Sequence, residues 1–345
     1  MTYKFNEIKL DKAMYGETGK SFTQVLESLD PSENYIGTPY EGMDAFQRQL
    51  KRFDLRVRGA GSDRVEKFFS THESAALFPE YISRSVKSGM EESNVLGEIA
   101  ATHTKVESLN YYSFYSTSSA DQKSLKQVME GAEIPTTEIK VNNHAVALRK
   151  RGRMLVASYE AIRFQSLDLF SVALRDIGNQ IMRQHLEDAV NVLINGDGTA
   201  NQDAAPTYAI GTSPISGTAG TLTYAQMVEF WNTFDPYTMN TILAAPDTMV
   251  KLLNCTEFKN PLSGLNFAGT GDPSTPLGAK LIRCAAVPSG KLIGLDRGYA
   301  LEQISVGDVA VEYDRLIDRQ LERAAITSIS GFAKLYKEAS KVLTV

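Results

Sequence analysis

The longest regular hydrophobic pattern in the chain lies between residues 166 and 195, where apolar residues recur every three or four positions. This spacing is typical of one face of an α-helix. The face consists of Phe170, Leu174, Ile177, Ile181, Met182, Leu186, Ala189 and Leu193. Ser166 is suited to cap the first turn, and Gly196 suits the left-handed position after the last turn. The pattern predicts a helix about 40 Å long, with His185 on its polar, exposed or salt-bridged side.

Residues 1–64 are polar and are interrupted by many glycines and prolines. Short helices are predicted near residues 22–29 and 43–54, but the segment shows no core of its own. We expect an arm that becomes ordered on a partner surface.

Strand-like stretches at residues 109–115 and 137–141 flank a long polar segment, and further strand patterns follow at 145–148 and 154–158. Two extended limbs joined by a polar tip indicate an outstretched hairpin. A hairpin of this kind cannot bury both of its faces alone. We therefore expect it to lie on a neighbouring subunit.

The second half of the chain has the pattern of an α/β region. Helices are predicted at residues 224–234 and 247–254, and strands at 241–245, 280–286, 291–295, 304–313 and 325–336. Residues 200–221 and 260–276 are loops of small residues.

Composition places this chain of 345 residues among globular proteins, because 43% of the residues are hydrophobic and 22% are charged. No apolar run approaches the roughly 20 residues of a membrane span, and the N-terminus lacks the apolar segment of a secretory signal. Cys255 and Cys284 are interpreted as reduced thiols, with a single bridge between them as the alternative. The net charge of −5 does not favour tight binding of nucleic acid.

Catalytic and metal-binding patterns are not found in the sequence. The four histidines have no metal-ligand spacing, and neither a nucleophile elbow nor a Walker lysine is present. Gly269 to Gly271 lack the flanking strand and lysine of a phosphate loop, and Asn195 to Gly198 lack the later ligands of a calcium loop. No enzyme activity, cofactor or metal is expected.

Two charge clusters are candidates for subunit contacts. The first is the basic run Arg149, Lys150, Arg151 and Arg153, which could meet carboxylates of a neighbouring subunit or a packaged polyanion, or form a solvated strand end. We favour the subunit contact, because the run belongs to the predicted hairpin. The second cluster alternates in sign between residues 314 and 323. An interlocking polar surface and isolated solvent-facing pairs both remain open for it.

The order of these parts resembles that of tailed-bacteriophage major capsid proteins, which have the Hong Kong 97-type (Johnson) fold. The most specific segment is residues 193–199, LINGDGT, because that family often ends its spine helix with such a turn. Residues 77–86, 130–135 and 151–164 also resemble capsid sequences of phages or prophages of Firmicutes.

This resemblance implies an α+β fold with peripheral and axial domains. Its parts would be an N-terminal arm at residues 1–68, the arm or start of the peripheral domain at 69–108, an extended hairpin loop at 109–158, a spine helix at 159–197, an axial domain at 198–298, and return strands of the peripheral domain at 299–345.

The resemblance also implies a structural shell protein rather than an enzyme. Such a protein self-assembles into pentamers and hexamers of an icosahedral virion capsid around double-stranded DNA, in the cytoplasm of a host bacterium. The implied partners are further copies of the chain, a scaffolding protein, a portal and head accessory proteins. DNA would be contacted weakly, and no membrane is involved.

Covalent crosslinking is not expected. In the founding member of the family, an isopeptide bond joins a hairpin lysine to an asparagine with the help of a glutamate. The aligned positions hold Gly131, Arg319 and Ile326, none of which can carry out this reaction, although Lys123 and Lys126 lie nearby.

The candidate contact residues form two sets. The candidates for subunit interfaces are charged: Lys123, Lys126, Glu130, Glu133, Arg149, Lys150, Arg151, Arg153, Arg315, Asp318, Arg319, Glu322 and Arg323. The candidates for crowding around the five- and sixfold axes belong to the small-residue loop and are Asn260, Gly264, Asn266, Gly269, Gly271 and Asp272. A plain surface loop has the same composition.

Two alternatives remain. An encapsulin-type nanocompartment shell would share the fold, but the length of the chain and its polar arm count against it. A cytosolic α/β enzyme would belong to another class, but no clustered nucleophile, base or metal set supports it.

Overall fold

A computed structural model describes residues 4–16, 20–92, 94–116, 127, 129–130, 139–141, 145–158, 164–198, 204–260, 276–307, 309–316 and 321–345. The chain forms two compact units. Unit 1 comprises Met1–Ser93, Arg151–Met182 and Asp308–Ser328, and unit 2 comprises Asn94–Lys150, Arg183–Gly307 and Ile329–Val345. Both contain helices and strands, which agrees with the expected α+β class.

Eight α-helices are found among the described residues: α1 (Phe22–Leu29), α2 (Ala45–Arg52), α3 (His72–Ala75), α4 (Phe78–Glu92), α5 (Leu167–Asn195), α6 (Tyr224–Asn232), α7 (Pro246–Leu253) and α8 (Thr256–Lys259). The strands described are β1 (Thr102–Val106), β2 (Phe114–Ser116), β3 (Ile139–Val141), β4 (Arg149–Ser158), β5 (Thr207–Ala209), β6 (Thr241–Ala244), β7 (Lys280–Arg283), β8 (Lys291–Leu295), β9 (Leu301–Val306), β10 (Ala310–Leu316), β11 (Leu321–Lys334) and β12 (Ser340–Thr344).

Helix α5 confirms, to within one residue at its start, the helix predicted from the hydrophobic pattern over residues 166–195. The Ser166 hydroxyl accepts the Leu169 amide at 3.4 Å, and Gly196 has a φ of +81°. The predicted apolar face is buried, except that Phe170 and Leu186 are half-buried. The exposed position expected for His185 is wrong, because this side chain is buried. Because His185 and Val190 are buried in addition to this face, the buried arc of the helix is wider than the predicted apolar stripe.

The C-terminal end of α5 is held by two polar side chains of unit 2. The buried Lys334 ammonium donates to the Leu193 carbonyl at 3.2 Å, and the Ser340 hydroxyl donates to the same oxygen at 3.4 Å. A cation is favourable at this position because the last carbonyls of a helix carry partial negative charge.

The N-terminal segment packs inside unit 1. Helices α1 and α2 confirm the two predicted helices, and each begins with a capping box. Phe22, Leu26, Phe46 and Leu50 are buried in the same core as residues of α4 and α5. This packing corrects the expectation that the segment needs a partner surface to become ordered. Its apolar residues reach the core from short helices separated by turns, so they form no continuous pattern.

A buried charged group also fixes this segment. The Arg48 guanidinium is fully buried, donates through Nε to the Asp30 carboxylate at 2.9 Å and lies 4.2 Å from the Tyr35 ring. Tyr35 in turn donates its hydroxyl proton to Asp30 at 2.7 Å. Because an unpaired buried charge is costly, this network holds the turn between α1 and α2 in one arrangement.

Helices α4 and α5 approach each other closely at two glycines. A Cβ atom on Gly89 would lie 2.2 Å from the Arg175 carbonyl oxygen, and one on Gly178 would lie 2.1 Å from the Val86 carbonyl oxygen. Any side chain at either position would therefore force the two backbones apart.

Unit 2 contains a five-stranded sheet in the order β5-β12-β8-β6-β7. β12 pairs with β8 in the antiparallel register Val342↔Ile293, and β6 pairs in parallel with β7 in the register Ile242↔Leu281. This sheet contributes to a core that includes Phe230 of α6 and Leu252 of α7. The helices at 224–234 and 247–254 and the strands at 241–245 and 291–295 are confirmed, whereas β5 and β12 were not predicted.

A second sheet contains β11, which belongs partly to each unit. In unit 1, β10 pairs with the first part of β11, in the register Ala310↔Thr327. In unit 2, β9 pairs with the last part of β11 and runs parallel to β1. The single strand predicted at residues 304–313 is wrong, because it is divided into β9 and β10 by a turn in which Gly307 has a φ of +62°.

Candidate subunit-contact surfaces

The first limb of the predicted hairpin is anchored to a buried carboxylate in unit 2. Glu302 on β9 is buried and accepts hydrogen bonds from Thr104 Oγ1 at 2.7 Å, Tyr111 OH at 2.7 Å and Ser113 Oγ at 2.8 Å. Burial and the bond to this carboxylate raise the pKa of Tyr111 to about 12, because both disfavour the phenolate. Two of these donors, Tyr111 and Ser113, belong to the limb and fix the point at which it leaves the sheet.

The second limb returns to the same unit through an apolar contact. Val146 is buried with Ile304 and Ala333, and Leu148 packs against this cluster. A Cβ on Gly331 would lie 2.7 Å from Leu148 Cδ2 and 2.9 Å from the Ala147 carbonyl oxygen, so a side chain at this position of β11 would push against the backbone of the second limb. Between these roots, β2 and β3 pair in the antiparallel register Phe114↔Val141. Both ends of the hairpin are therefore built into the sheet that contains β9 and β11.

The hairpin tip contains four candidate residues, of which the structure describes one. Glu130 is exposed in a turn, next to Met129, whose side chain is 83% exposed. Lys123, Lys126 and Glu133 lie outside the described residues, as does Gly131.

The basic run lies along β4, which pairs with β11. Arg149 is exposed and donates to Asp188 of α5 at 2.7 Å, while Lys150 is exposed and Arg151 is half-buried. Arg153 donates to Gln180 of the same helix. The run is thus tied to α5 at two points. An exposed ion pair of this kind contributes at most about 1 kcal/mol.

The alternating charges lie in the β10–β11 hairpin. Arg323 donates to the Asp314 carboxylate at 2.5 Å, and the register places Arg315 opposite Glu322. Asp318 and Arg319, which lie between β10 and β11 in the sequence, fall outside the described residues. Ile326, the third position aligned with the crosslinking reaction, is buried in the core of unit 1.

Of the candidates for axial crowding, only Asn260 lies within the described part of the chain. Its amide closes α8 by donating to the Thr256 carbonyl at 3.0 Å. Gly264, Asn266, Gly269, Gly271 and Asp272 fall outside that part.

The sequence reasoning missed Glu302, Lys334 and the glycine pair Gly89 and Gly178. A glycine in the middle of an otherwise helical pattern is a signal of close packing, and Gly178 provided it. Glu302 gave no signal, because a single acidic residue in a short strand has the appearance of an exposed position.

Within the described residues, no group of three or more His, Cys, Asp or Glu side chains is arranged to hold a metal ion. In that same part of the chain, none of the helices is both long and apolar enough to cross a membrane.

The sequence profile of a family described as phage capsid protein matches residues 143–332. No curated protein matches the sequence. The structure is similar to the virus-like particle from Pyrococcus furiosus, with a TM-score of 0.51 and 10% identity, over 76% of this chain and 98% of that one. It is also similar to the capsid of a native GTA particle, with a TM-score of 0.53 and 15% identity, over 72% and 89%. For Microbacterium phage Oxtober96, the TM-score is 0.50 at 13% identity, over 73% and 90%. These likenesses establish a shared fold.

Proposed function

Because the chain belongs to the phage capsid protein family, we propose that it forms an icosahedral head from pentamers and hexamers around double-stranded DNA. The family makes it a structural protein of the virion shell, which associates with copies of itself, and not an enzyme. The observation that carries the proposal is the match of the family over residues 143–332, a range that includes all of α5 and most of β11.

We assign the hairpin at residues 109–158 to the contact with the next subunit. Both of its roots are fixed on β9 and β11 through Glu302 and Val146, so the direction in which it leaves its own subunit is defined. The charged candidates of its tip would then meet the neighbouring copy. The partners of Lys150, which is exposed on β4, would be carboxylates of that copy.

Residues 159–197 and 299–345 would belong to the peripheral domain and residues 198–298 to the axial domain. The loop at 260–276 would surround the five- and sixfold axes, where only small residues leave room for five or six copies. Closed rings of this kind require heterologous contacts, in which two different surfaces of one subunit meet.

The shell would be held without covalent crosslinks. Ile326 offers no carboxylate at the position of the promoting glutamate, and it is buried among apolar side chains. A scaffolding protein, a portal and head accessory proteins would assist assembly in the host cytoplasm. The net charge of −5 fits weak contact with the packaged DNA.

A nanocompartment shell is the second candidate. It is favoured by the similarity to the virus-like particle from Pyrococcus furiosus, because 98% of that chain is covered. Such a shell would enclose protein cargo rather than a genome.

Electron microscopy of the purified chain, expressed alone and with its neighbouring genes, tests the proposal. We expect uniform shells that contain DNA when the phage genes are complete. After boiling in detergent, the protein should migrate as a monomer of 37.9 kDa. A ladder of covalent oligomers would contradict the absence of crosslinks, and shells filled with a protein cargo would favour the nanocompartment. Small oligomers under all conditions would contradict both shell functions.

A further inference from the structure

The N-terminal segment of unit 1, described at residues 4–16 and 20–64, carries much of the apolar core of that unit. Ten of its described side chains are almost completely buried: Phe5, Leu10, Phe22, Val25, Leu26, Tyr35, Ala45, Phe46, Leu50 and Leu55. Seven of the ten pack in one cluster with side chains of α4 and α5, such as Ile82 and Leu174. Because apolar surface is unfavourable in water, removal of this segment would leave uncovered apolar faces on both helices.

Two charged residues of α4 bind the two helices of this segment. Glu80, which is buried, accepts a hydrogen bond from Thr23 Oγ1 of α1 at 2.6 Å. Arg84 donates to Thr23 Oγ1 at 2.9 Å and to the carboxylate of Asp44, the N-cap of α2, at 2.6 Å. Its guanidinium carbon also lies 4.4 Å from the centre of the Phe46 ring. Loss of α1 and α2 would leave the Glu80–Arg84 ion pair with fewer hydrogen-bond partners, which is costly for a buried carboxylate.

A third contact lies near the start of the segment. The Tyr15 hydroxyl donates to the Ala76 carbonyl at 2.9 Å and accepts the Glu80 amide at 3.0 Å. The Tyr15 ring stacks on Phe22 of α1, with 4.3 Å between the ring centres. Tyr15 therefore joins the stretch that precedes α1 to the start of α4.

The end of the segment is joined to the start of α5. The Asp63 carbonyl accepts the Leu167 amide at 2.8 Å, and the Val65 amide donates to the Gln165 carbonyl at 3.0 Å. Just before this junction, residues 58–61 are exposed. A cut in that exposed stretch would leave all the contacts described above in place, so it would not by itself release the segment.

We propose that residues 4–64 form a permanent clasp on α4 and α5, and that maturation of the head does not remove them by proteolysis. This rests on the proposed function, since it concerns a subunit that assembles into a head. A segment that is cut off during maturation must leave without unfolding the rest of the chain, which requires contacts that are few and exposed. Residues 4–64 have the opposite properties, because their buried side chains extend from Phe5 to Leu55.

A cut at a chosen place tests the clasp in the unassembled chain. A recognition site for a sequence-specific protease is inserted in the exposed stretch at residues 58–61, and the purified chain is cut there. We expect the N-terminal fragment to co-elute with the remainder in native buffer and to separate only in urea. Arg84→Ala in the cut chain should lower the urea concentration at which the two parts separate. Lys51→Ala is the control, because it removes an exposed cation of α2 and should leave that concentration unchanged.

Subunits from finished heads give the second test. Particles are made with the complete set of phage genes, which includes the gene of any head protease, and the intact mass of the subunit is measured. We expect the mass of a chain that still contains residues 4–64. This measurement needs no variant, so it decides the matter even if the inserted site disturbs folding.

Two results would overturn the inference while leaving the proposed function intact. The first is a subunit in DNA-filled particles that begins within residues 4–64 or after them. The second is a cut fragment that elutes apart from a folded remainder in native buffer. Failure of the unaltered chain to form any particle would overturn the proposed function and the statement about maturation, whereas the elution of the cut chain would still show whether the clasp holds.

Discussion

At the scale of single residues, buried polar groups fix the positions of two segments of this subunit. Glu302 collects three donors at the root of the hairpin, and Arg48 ties Asp30 and Tyr35 together near the N-terminus. Such groups are costly when they are left unpaired, so each favours a single arrangement of the segments that it joins.

The Tyr111 hydroxyl gives a direct test of this role. Tyr111→Phe removes one of the three donors to Glu302 and leaves the ring in place. Since hydrogen bonds to charged groups contribute about 1.5–3 kcal/mol, we expect unfolding to cost about 1.5 kcal/mol less, measured by urea denaturation of the unassembled chain. Tyr112→Phe is the matched control, because Tyr112 is 49% exposed and should change little. Equal losses in both variants would show that the carboxylate does not anchor the limb.

At the scale of elements, the sequence predicted those parts whose pattern is local. The limits of α5 followed from an amphipathic repeat, a capping serine and a terminal glycine, all of which act within a few residues. β12 was missed because it is short, lies at the end of the chain and becomes buried only through pairing with β8 and β5. Residues 1–64 were misjudged for a similar reason, since their burial depends on α4 and α5. The first limb of the hairpin was recognised, but its anchor, Glu302, lies 191 positions from Tyr111 and 189 positions from Ser113.

The crossing of α4 and α5 is an element-scale feature with a clear prediction. Alanine normally stabilises a helix relative to glycine by about 1 kcal/mol. In Gly178→Ala, however, the new methyl group would lie 2.1 Å from the Val86 carbonyl oxygen. We expect the free energy of unfolding to fall by about 1–3 kcal/mol, because the two helices can relieve this clash only by moving apart.

Gly61→Ala serves as the control for Gly178→Ala. Gly61 is exposed, its φ is not in the left-handed region, and a Cβ there would meet no atom of the described residues within 4 Å. Thermal unfolding monitored by circular dichroism should therefore separate the two variants. An increase in stability for Gly178→Ala would mean that the helices are not in close contact.

At the scale of the whole molecule, membership of the capsid family and the fold agree, although the structural relatives share only 10–15% of their residues with this chain. What the relatives share is the order of elements, which depends on hydrophobic pattern rather than on identity. Surfaces are free to change in each lineage as long as neighbouring copies change with them. This is why the sequence predicted the family and the fold, while the contact residues remain proposals.

The role in assembly that we propose for the hairpin leads to the last prediction. Removal of residues 119–131 should leave subunits that fold, because both roots of the hairpin are anchored within unit 2 by Glu302 and Val146. The same deletion should abolish shells, since the tip would no longer reach the neighbouring copy. Circular dichroism and urea denaturation measure the first effect, and size-exclusion chromatography with electron microscopy measures the second. A variant in which the same residues are replaced by a glycine–serine linker of equal length separates loss of reach from loss of specific side chains. Shells of normal size from the deletion variant would remove the hairpin tip from assembly, and an unfolded subunit would show that the tip stabilises its own chain.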